Sequence, residues 1–321
     1  MSPSWAYGIT TVPERRGDLL PRTLASLKGA GFPTPRLFVD GEKDVGSWER
    51  EFGIEVTVRS PPNLRTHGNW VLSIYELFVR NPKTDRYAIF QDDFVTYKNL
   101  RLYLDTWNYP EPDKDGIDRN GKRGYWNLLS FDTNEPVIAD CPQGHWYPAG
   151  LLQDDERQLQ SGRGAVGLVF SRQALMVLLS HRHLLERPTH AARGWRCVDG
   201  GIVNTMNKAG WLEYIHSPSL VQHTGYISSM GSRTQSRADT FRTERFDAMD
   251  LVKIGGPGDL VERALSVVGI TSTRVSKWLG KPCRCPERKE KLNQLGYWAK
   301  RILSGATEQA KEHLEEILRH E

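Results

Sequence analysis

The sequence predicts an open α/β sheet with a binding crevice at the carboxyl edge of its strands. Three observations predict it. Short apolar runs end in polar residues, and leucines at helical spacing separate the first two of them. A further run, Arg86-Tyr87-Ala88-Ile89-Phe90-Gln91-Asp92-Asp93-Phe94-Val95, closes on adjacent carboxylates, as a buried strand would if it delivered acids to a sheet edge where a cation is held. Side chains alternate along a strand, so Asp92 and Asp93 are expected to point to opposite sides, Asp93 as a metal ligand and Asp92 as the residue that holds the loop. A strand-end turn with solvated acids accounts for the same two residues without a ligand role.

In chain order, Ala6 to Val12 reads as the first strand and runs into Pro13-Glu14-Arg15-Arg16. Leu20, Leu24 and Leu27 then recur at helical spacing until Gly29 and Gly31 stop the helix. Arg36 to Val39 is a second strand ending at Asp40-Gly41, which completes a strand, helix, strand unit. No Gly-x-Gly-x-x-Gly follows the first strand and no Walker-type loop is present, which disfavours a dinucleotide or P-loop site. Ile54 to Val58 alternates as a strand and is broken by Pro61-Pro62-Asn63. His67-Gly68-Asn69-Trp70 introduces a helix with Val71, Ile74, Tyr75 and Phe78 on one face, ended by Asn81-Pro82. Residues 101–123 read as loop and Tyr125 to Phe131 as strand; residues 132–163, long and polar, read as a lid or binding loop holding His145, Trp146 and Tyr147. Gly164 to Phe170 is a strand leading through Ser171, a helix cap, into a helix with Leu175, Leu178 and Leu179. Asp199 precedes Gly200-Gly201 and a helix from Ile202 to Lys208, and Ile215 to Gly225 closes the globular part. Residues 231–247 are polar and Arg-rich, and short helices are expected beyond Gly255-Gly256-Pro257-Gly258. The boundary therefore falls near residue 254, giving a catalytic-size domain over 1–254 and a helical appendage over 255–321.

The chain has 321 residues, enough for a large core plus an appendage. Its 43 basic residues face 39 acidic ones, a mixed surface that permits anionic partners and does not demand them. No run approaches the roughly 20 apolar residues of a membrane span, and the first residues lack the pattern of a signal peptide, so a soluble cytoplasmic protein is expected. Four cysteines make no disulfide framework, in keeping with a reducing compartment.

Four blocks occur in the order found in nucleotide-sugar glycosyltransferases of the GT-A type: Ile9-Thr10-Thr11-Val12-Pro13-Glu14-Arg15 with its Leu-rich helix, Gln91-Asp92-Asp93, Val198-Asp199-Gly200-Gly201, and Pro218-Ser219-Leu220-Val221-Gln222-His223-Thr224-Gly225. The chain resembles that superfamily over about residues 5 to 230. The last block looks most like the histidine segment of the branching N-acetylglucosaminyltransferases that make β1,4 linkages on N-glycans. That family has Glu-Asp-Asp where this chain has Gln91, so the first acidic position is neutral here.

The resemblance implies a GT-A (Rossmann-like) open mixed sheet flanked by helices, a UDP-sugar donor, and a bound Mn²⁺ or Mg²⁺ that stabilises the departing diphosphate. Asp93 and His223 would hold the ion, and the imidazole tilts the choice toward Mn²⁺. Thr10, Pro13 and Arg15 would lie near base or phosphate and Asp40 near base or ribose. Asn69 is expected on the nucleotide side, although it and Trp70 also fit a plain helix start. Inverting transfer needs a base for the acceptor hydroxyl, and Asp199 is the candidate, with a helix N-cap as the competing role. Arg233 and Arg237 are candidates for a lid over the diphosphate, and Trp126, Trp146 and Tyr147 for a stacking platform or for core.

The acceptor is not legible in the sequence. Lys281 to Asn293, with Cys283 and Cys285, resembles segments of phage and environmental bacterial proteins, which brings in hydroxymethylated pyrimidines of DNA as an acceptor. Two cysteines do not fill a tetrahedral zinc site. A non-catalytic carbohydrate or nucleic-acid binding module, favoured by Gln91, and a metal-dependent nuclease are the competing readings.

Overall fold

A computed structural model describes residues 2–61, 63–107, 109, 123–130, 144–149, 164–185, 198–224, 238 and 241–251. The chain divides into two units, 1–252 and 253–321; the expected helical appendage, Arg233, Arg237 and Cys283-Arg284-Cys285 lie outside the described residues. The first unit is a mixed α/β, Rossmann-like sheet with helices on both faces.

Strands β1 (Trp5–Thr11), β2 (Arg36–Asp40), β3 (Val56–Arg59) and β4 (Arg86–Gln91) are parallel and are joined by α1 (Leu19–Gly29), α2 (Val45–Phe52) and α3 (Arg65–Arg80). The remaining elements are β5 (Phe94–Thr96), α4 (Leu100–Asp105), β6 (Gly124–Asn127), β7 (His145–Pro148), β8 (Gly167–Ser171), α5 (Arg172–Ser180), α6 (Val198–Lys208), β9 (Leu212–Ser217) and β10 (Val221–His223). The described residues give an eight-stranded sheet in the order β3-β2-β1-β4-β8-β6-β9-β7 and a separate β10-β5 ribbon. β8 runs antiparallel to both β4 and β6, β9 is parallel to β6, and β7 is antiparallel to β9. The chain winds from β1 outward to β3, then crosses back to β4 on the other side of β1. That reversal leaves a crevice beyond the carboxyl ends of β1 and β4.

The period-2 pattern explains why helices cover both faces. In β2, Leu37 and Val39 pack with Leu20 and Leu27 of α1 and Trp48 of α2, whereas Phe38 packs with Trp70 and Ile74 of α3. In β4, Ala88 and Phe90 join the first layer and Tyr87 and Ile89 the second. A strand buried on both sides reads as an unbroken apolar run, as Arg86 to Phe90 does. Gly8 is fixed by the same packing, because a Cβ there would sit 2.6 Å from the Phe38 ring and 2.8 Å from the Arg36 carbonyl oxygen.

Several expectations are corrected. Asp92-Asp93 is not on a strand: β4 stops at Gln91, and the two acids form the turn into β5. α4 opens the region read as loop, with Leu100, Tyr103 and Leu104 buried; their spacing is too short to stand out as a period. β7 lies within the stretch read as a lid, and α2, not expected, buries only Trp48. Asp44 caps α2, its carboxylate accepting from Ser47 N at 3.1 Å, and Gly53 ends it at φ 64°. α6 starts at Val198, so Asp199 lies inside the first turn and the Gly-Gly pair is helical. Tyr75 is 54% exposed rather than on the buried face of α3. Ser171 caps α5 as expected, its Oγ accepting from Ala174 N at 3.1 Å.

Two polar clusters tie elements together. Arg86 at the start of β4 is buried; it donates to the Leu104 carbonyl at 2.8 Å and the Trp107 carbonyl at 3.1 Å, and lies 3.7 Å from Asp105. Its guanidinium is 4.9 Å from the Trp126 ring centroid. On α3, Glu76 accepts from Thr57 at 2.8 Å and from Arg80 at 2.8 Å and pairs with Arg59 at 3.4 Å. Burial by itself would raise the Glu76 carboxyl, but these donors outweigh it and hold the group below its ordinary value. A depressed carboxylate contributes stability above its unfolded pKa and loses it as pH falls. Glu76→Gln is therefore expected to cost about 1–2 kcal/mol at pH 7 and less at pH 3. Denaturant titrations at both pH values check this; an equal loss at both would remove the charge-based role.

Candidate functional site

A cleft opens at the carboxyl ends of β1, β2 and β4, where the strand order reverses. Of the residues singled out in the sequence, Thr10, Arg15, Asp40, Asn69, Asp92 and Asp93 line it. Pro13 does not line it; it begins the 3-10 turn Pro13–Arg15, whose hydrogen bond from Arg15 N to Val12 O at 3.0 Å brings Arg15 back toward the cleft.

The turn that carries the acids is held from three sides. Thr23 of α1 is fully buried, with its Oγ 2.8 Å from the carbonyls of both Asp92 and Phe94, and it accepts from Phe94 N at 3.2 Å. Thr11 of β1 donates to Asp92 Oδ2 at 2.5 Å. Beyond the turn, β5 pairs with β10 so that Phe94 stands opposite His223, and Thr224 N donates to the Asp93 carbonyl at 2.9 Å.

That pairing brings together the two residues expected to hold a cation. His223 Nδ1 lies 3.6 Å from Asp93 Oδ1, with side chains 11% and 7% exposed, and Arg15 Nη2 lies 4.0 Å from Asp93 Oδ2. His223 Nδ1 is buried and has no hydrogen-bond partner among the described residues. A buried imidazole nitrogen aimed near a carboxylate suits a divalent cation, although no group of three or more His, Cys, Asp or Glu among the described residues is arranged to hold one. Two protein ligands accord with an ion that completes its shell from phosphate and water. Burial, with the Asp93 charge beside it, pushes the Asp92 carboxyl up to about 7, against the opposing pull of Thr11 and Arg15.

Asp40 and Asn69 turn out to be engaged by the protein. Asp40 is 1% exposed, and its two oxygens accept from Leu64 N at 2.9 Å and Arg65 N at 2.7 Å. Charge-assisted hydrogen bonds of this kind are worth about 1.5–3 kcal/mol each, enough to offset the roughly 1–2 kcal/mol cost of the left-handed backbone at Arg65, whose φ is 62°. Asn69 donates to the Phe38 carbonyl at 3.2 Å and accepts from Arg59 at 3.3 Å, binding α3 to β2 and β3. Thr10 donates to the Phe90 carbonyl at 3.3 Å.

Asp199 is not among the described residues lining the cleft. Its Oδ2 accepts from Gly164 N at 2.7 Å, anchoring the approach to β8 instead of capping α6. Of the two readings of the aromatics, core packing holds for Trp126 and Trp146. Trp126 is 1% exposed, Trp146 stacks on it at 4.8 Å and 13°, and Arg86 lies over its ring, so the pair is core packing. Sequence reading missed Thr11, Thr23, Arg65 and Thr66. Thr11, Arg65 and Thr66 line the cleft; Thr11 sits inside the first family-like block without a role of its own there, and Thr23, Arg65 and Thr66 belong to no pattern that marks them out.

No family model matches the chain, and no curated protein matches it. Among solved structures, a chain described as a glucose-1-phosphate thymidylyltransferase from Bacillus anthracis, solved with sucrose, is similar at 13% identity and a TM-score of 0.34, over 68% of this chain and 89% of that one. No described helix is long and apolar enough to cross a membrane.

Proposed function

We propose that the chain is a divalent-cation-dependent glycosyltransferase that moves a sugar from a UDP-sugar to a hydroxyl acceptor with inversion. The observation that carries this reading is the approach of His223 to Asp93, 3.6 Å apart, at a switch-point cleft also lined by Arg15. An ion held there, Mn²⁺ in preference to Mg²⁺ because of the imidazole, supplies charge stabilisation for the departing diphosphate. Asp93 and His223 hold it, Arg15 faces the phosphates, and Asp92 stays tied to Thr11 so that the turn keeps its shape. The acceptor oxygen attacks the anomeric carbon, the carbon–phosphate-oxygen bond breaks, UDP leaves with the electron pair, and the acceptor proton passes to Asp199.

The test is hydrolysis of UDP-glucose and UDP-N-acetylglucosamine with manganese, with and without chelator. Turnover that chelator abolishes supports the reading, and none with either donor counts against it and for a binding module. The base assignment has its own check. Asp199→Asn keeps an acceptor for Gly164 N–H, so it is expected to lower transfer about 10²-fold while UDP affinity is unchanged. Undiminished transfer would leave Asp199 with the Gly164 tether alone.

A further inference from the structure

The left-handed backbone of Arg65 is held by Asp40, which leaves its side chain free of any fold-holding ion pair among the described residues. Arg65 is an exposed arginine, it lines the cleft, and among the described residues its guanidinium makes no ion pair, unlike Arg15 with Asp93. Left-handed backbone at a residue with a side chain is unfavourable, and such strain gathers at ligand sites when the surroundings over-determine it. Here they do. Both oxygens of buried Asp40 are taken by Leu64 N and Arg65 N, and Gly41, at φ 87°, packs so closely that a Cβ would sit 2.5 Å from Asn63 Oδ1. The end of β2 and the entry to α3 are thus locked together by the protein's own contacts. A carboxylate that is 1% exposed and has each oxygen engaged by a main-chain donor is a poor partner for a ribose hydroxyl. A guanidinium with five donors and no acceptor, held at a cleft rim, suits phosphate oxygens.

We propose that Arg65 is a phosphate-reading residue of the cleft and that Asp40 is a positioning residue acting on the ligand only through it. The inference rests on the nucleotide reading above and refines it, by moving Asp40 from sugar contact to support of a phosphate contact.

Calorimetric titration of the full chain with UDP, uridine and inorganic pyrophosphate, in manganese and in chelator, tests it. Arg65→Gly keeps a residue that favours positive φ, so the loop is retained while the guanidinium is lost. It is expected to weaken UDP about tenfold and to leave uridine unchanged. Asp40→Asn should do the same, and the double variant should lose no more than either single one. Losses that multiply in the double variant, or uridine affinity that falls with Asp40→Asn, would show that Asp40 touches the ligand itself. UDP affinity untouched by Arg65→Gly would overturn the proposal even if Asp40→Asn fails to fold. A wild-type chain that binds pyrophosphate through Arg65 but not UDP would keep the inference and sink the nucleotide reading. Binding neither would sink both.

Discussion

Asp93→Asn is expected to lower manganese-dependent turnover of a UDP-sugar on the order of 10²-fold or more, with a matching loss of Mn²⁺ affinity in titrations without donor. Asp93 is the acid that faces both His223, at 3.6 Å, and Arg15, at 4.0 Å, whereas Asp92 is turned to Thr11. Asparagine keeps the shape and removes the charge. The fold should tolerate it, since the turn is held by Thr23 and by the Thr224 N–H through main-chain groups that the substitution leaves alone. Removing a negative charge beside buried Asp92 also relieves one cause of that group's raised pKa, so the melting temperature without metal should hold or rise. Wild-type manganese affinity in a folded Asp93→Asn variant would end the ligand assignment.

Arg86→Ala is expected to destabilise the first unit by about 3–5 kcal/mol, the usual cost of breaking a buried ion pair by deleting one partner. Asp105 would lose the guanidinium at 3.7 Å, the carbonyls of Leu104 and Trp107 would each lose one donor, and the Trp126 ring would face a void. On a unit of this size that is about 10 °C in melting temperature. Arg86→Lys should recover little, because one ammonium cannot reproduce a planar fork spanning two carbonyls while lying over an indole. Thermal unfolding followed by circular dichroism measures both. A loss below about 1 kcal/mol in Arg86→Ala would show that the cluster relaxes around water.

What the sequence made visible follows from range. Strands β1, β2, β4 and β8 and helices α1 and α5 were legible because their signals are local: alternation, helical spacing, and a serine before an apolar run. α2 and α4 were not, since each is short and buries few side chains, and β7 was masked by its polar surroundings. The approach of His223 to Asp93 came into view only through the family resemblance, as nothing local links a residue of β10 to one beside β5. Thr23 and Thr11 were out of reach for a related reason. Each acts through a hydrogen bond to a residue about 70 to 80 positions away, and a threonine on a helix or a strand looks the same whether or not it makes one. Asp40 lines the cleft, but its partners were hidden, because acceptance of two main-chain amides leaves no trace in side-chain pattern.

Among the described residues the β5–β10 ribbon brings His223 to Asp93 through three facing pairs, Val221 with Thr96, Gln222 with Val95 and His223 with Phe94. If a cation is held there as proposed, occupancy and zippering would share one equilibrium: whatever favours the paired ribbon would tighten the grip, and a filled site would hold the ribbon shut by mass action. Ambient manganese would in this way act as a mechanical latch on a short hinge, with amide exchange at Gln222 slowing as the metal concentration climbs.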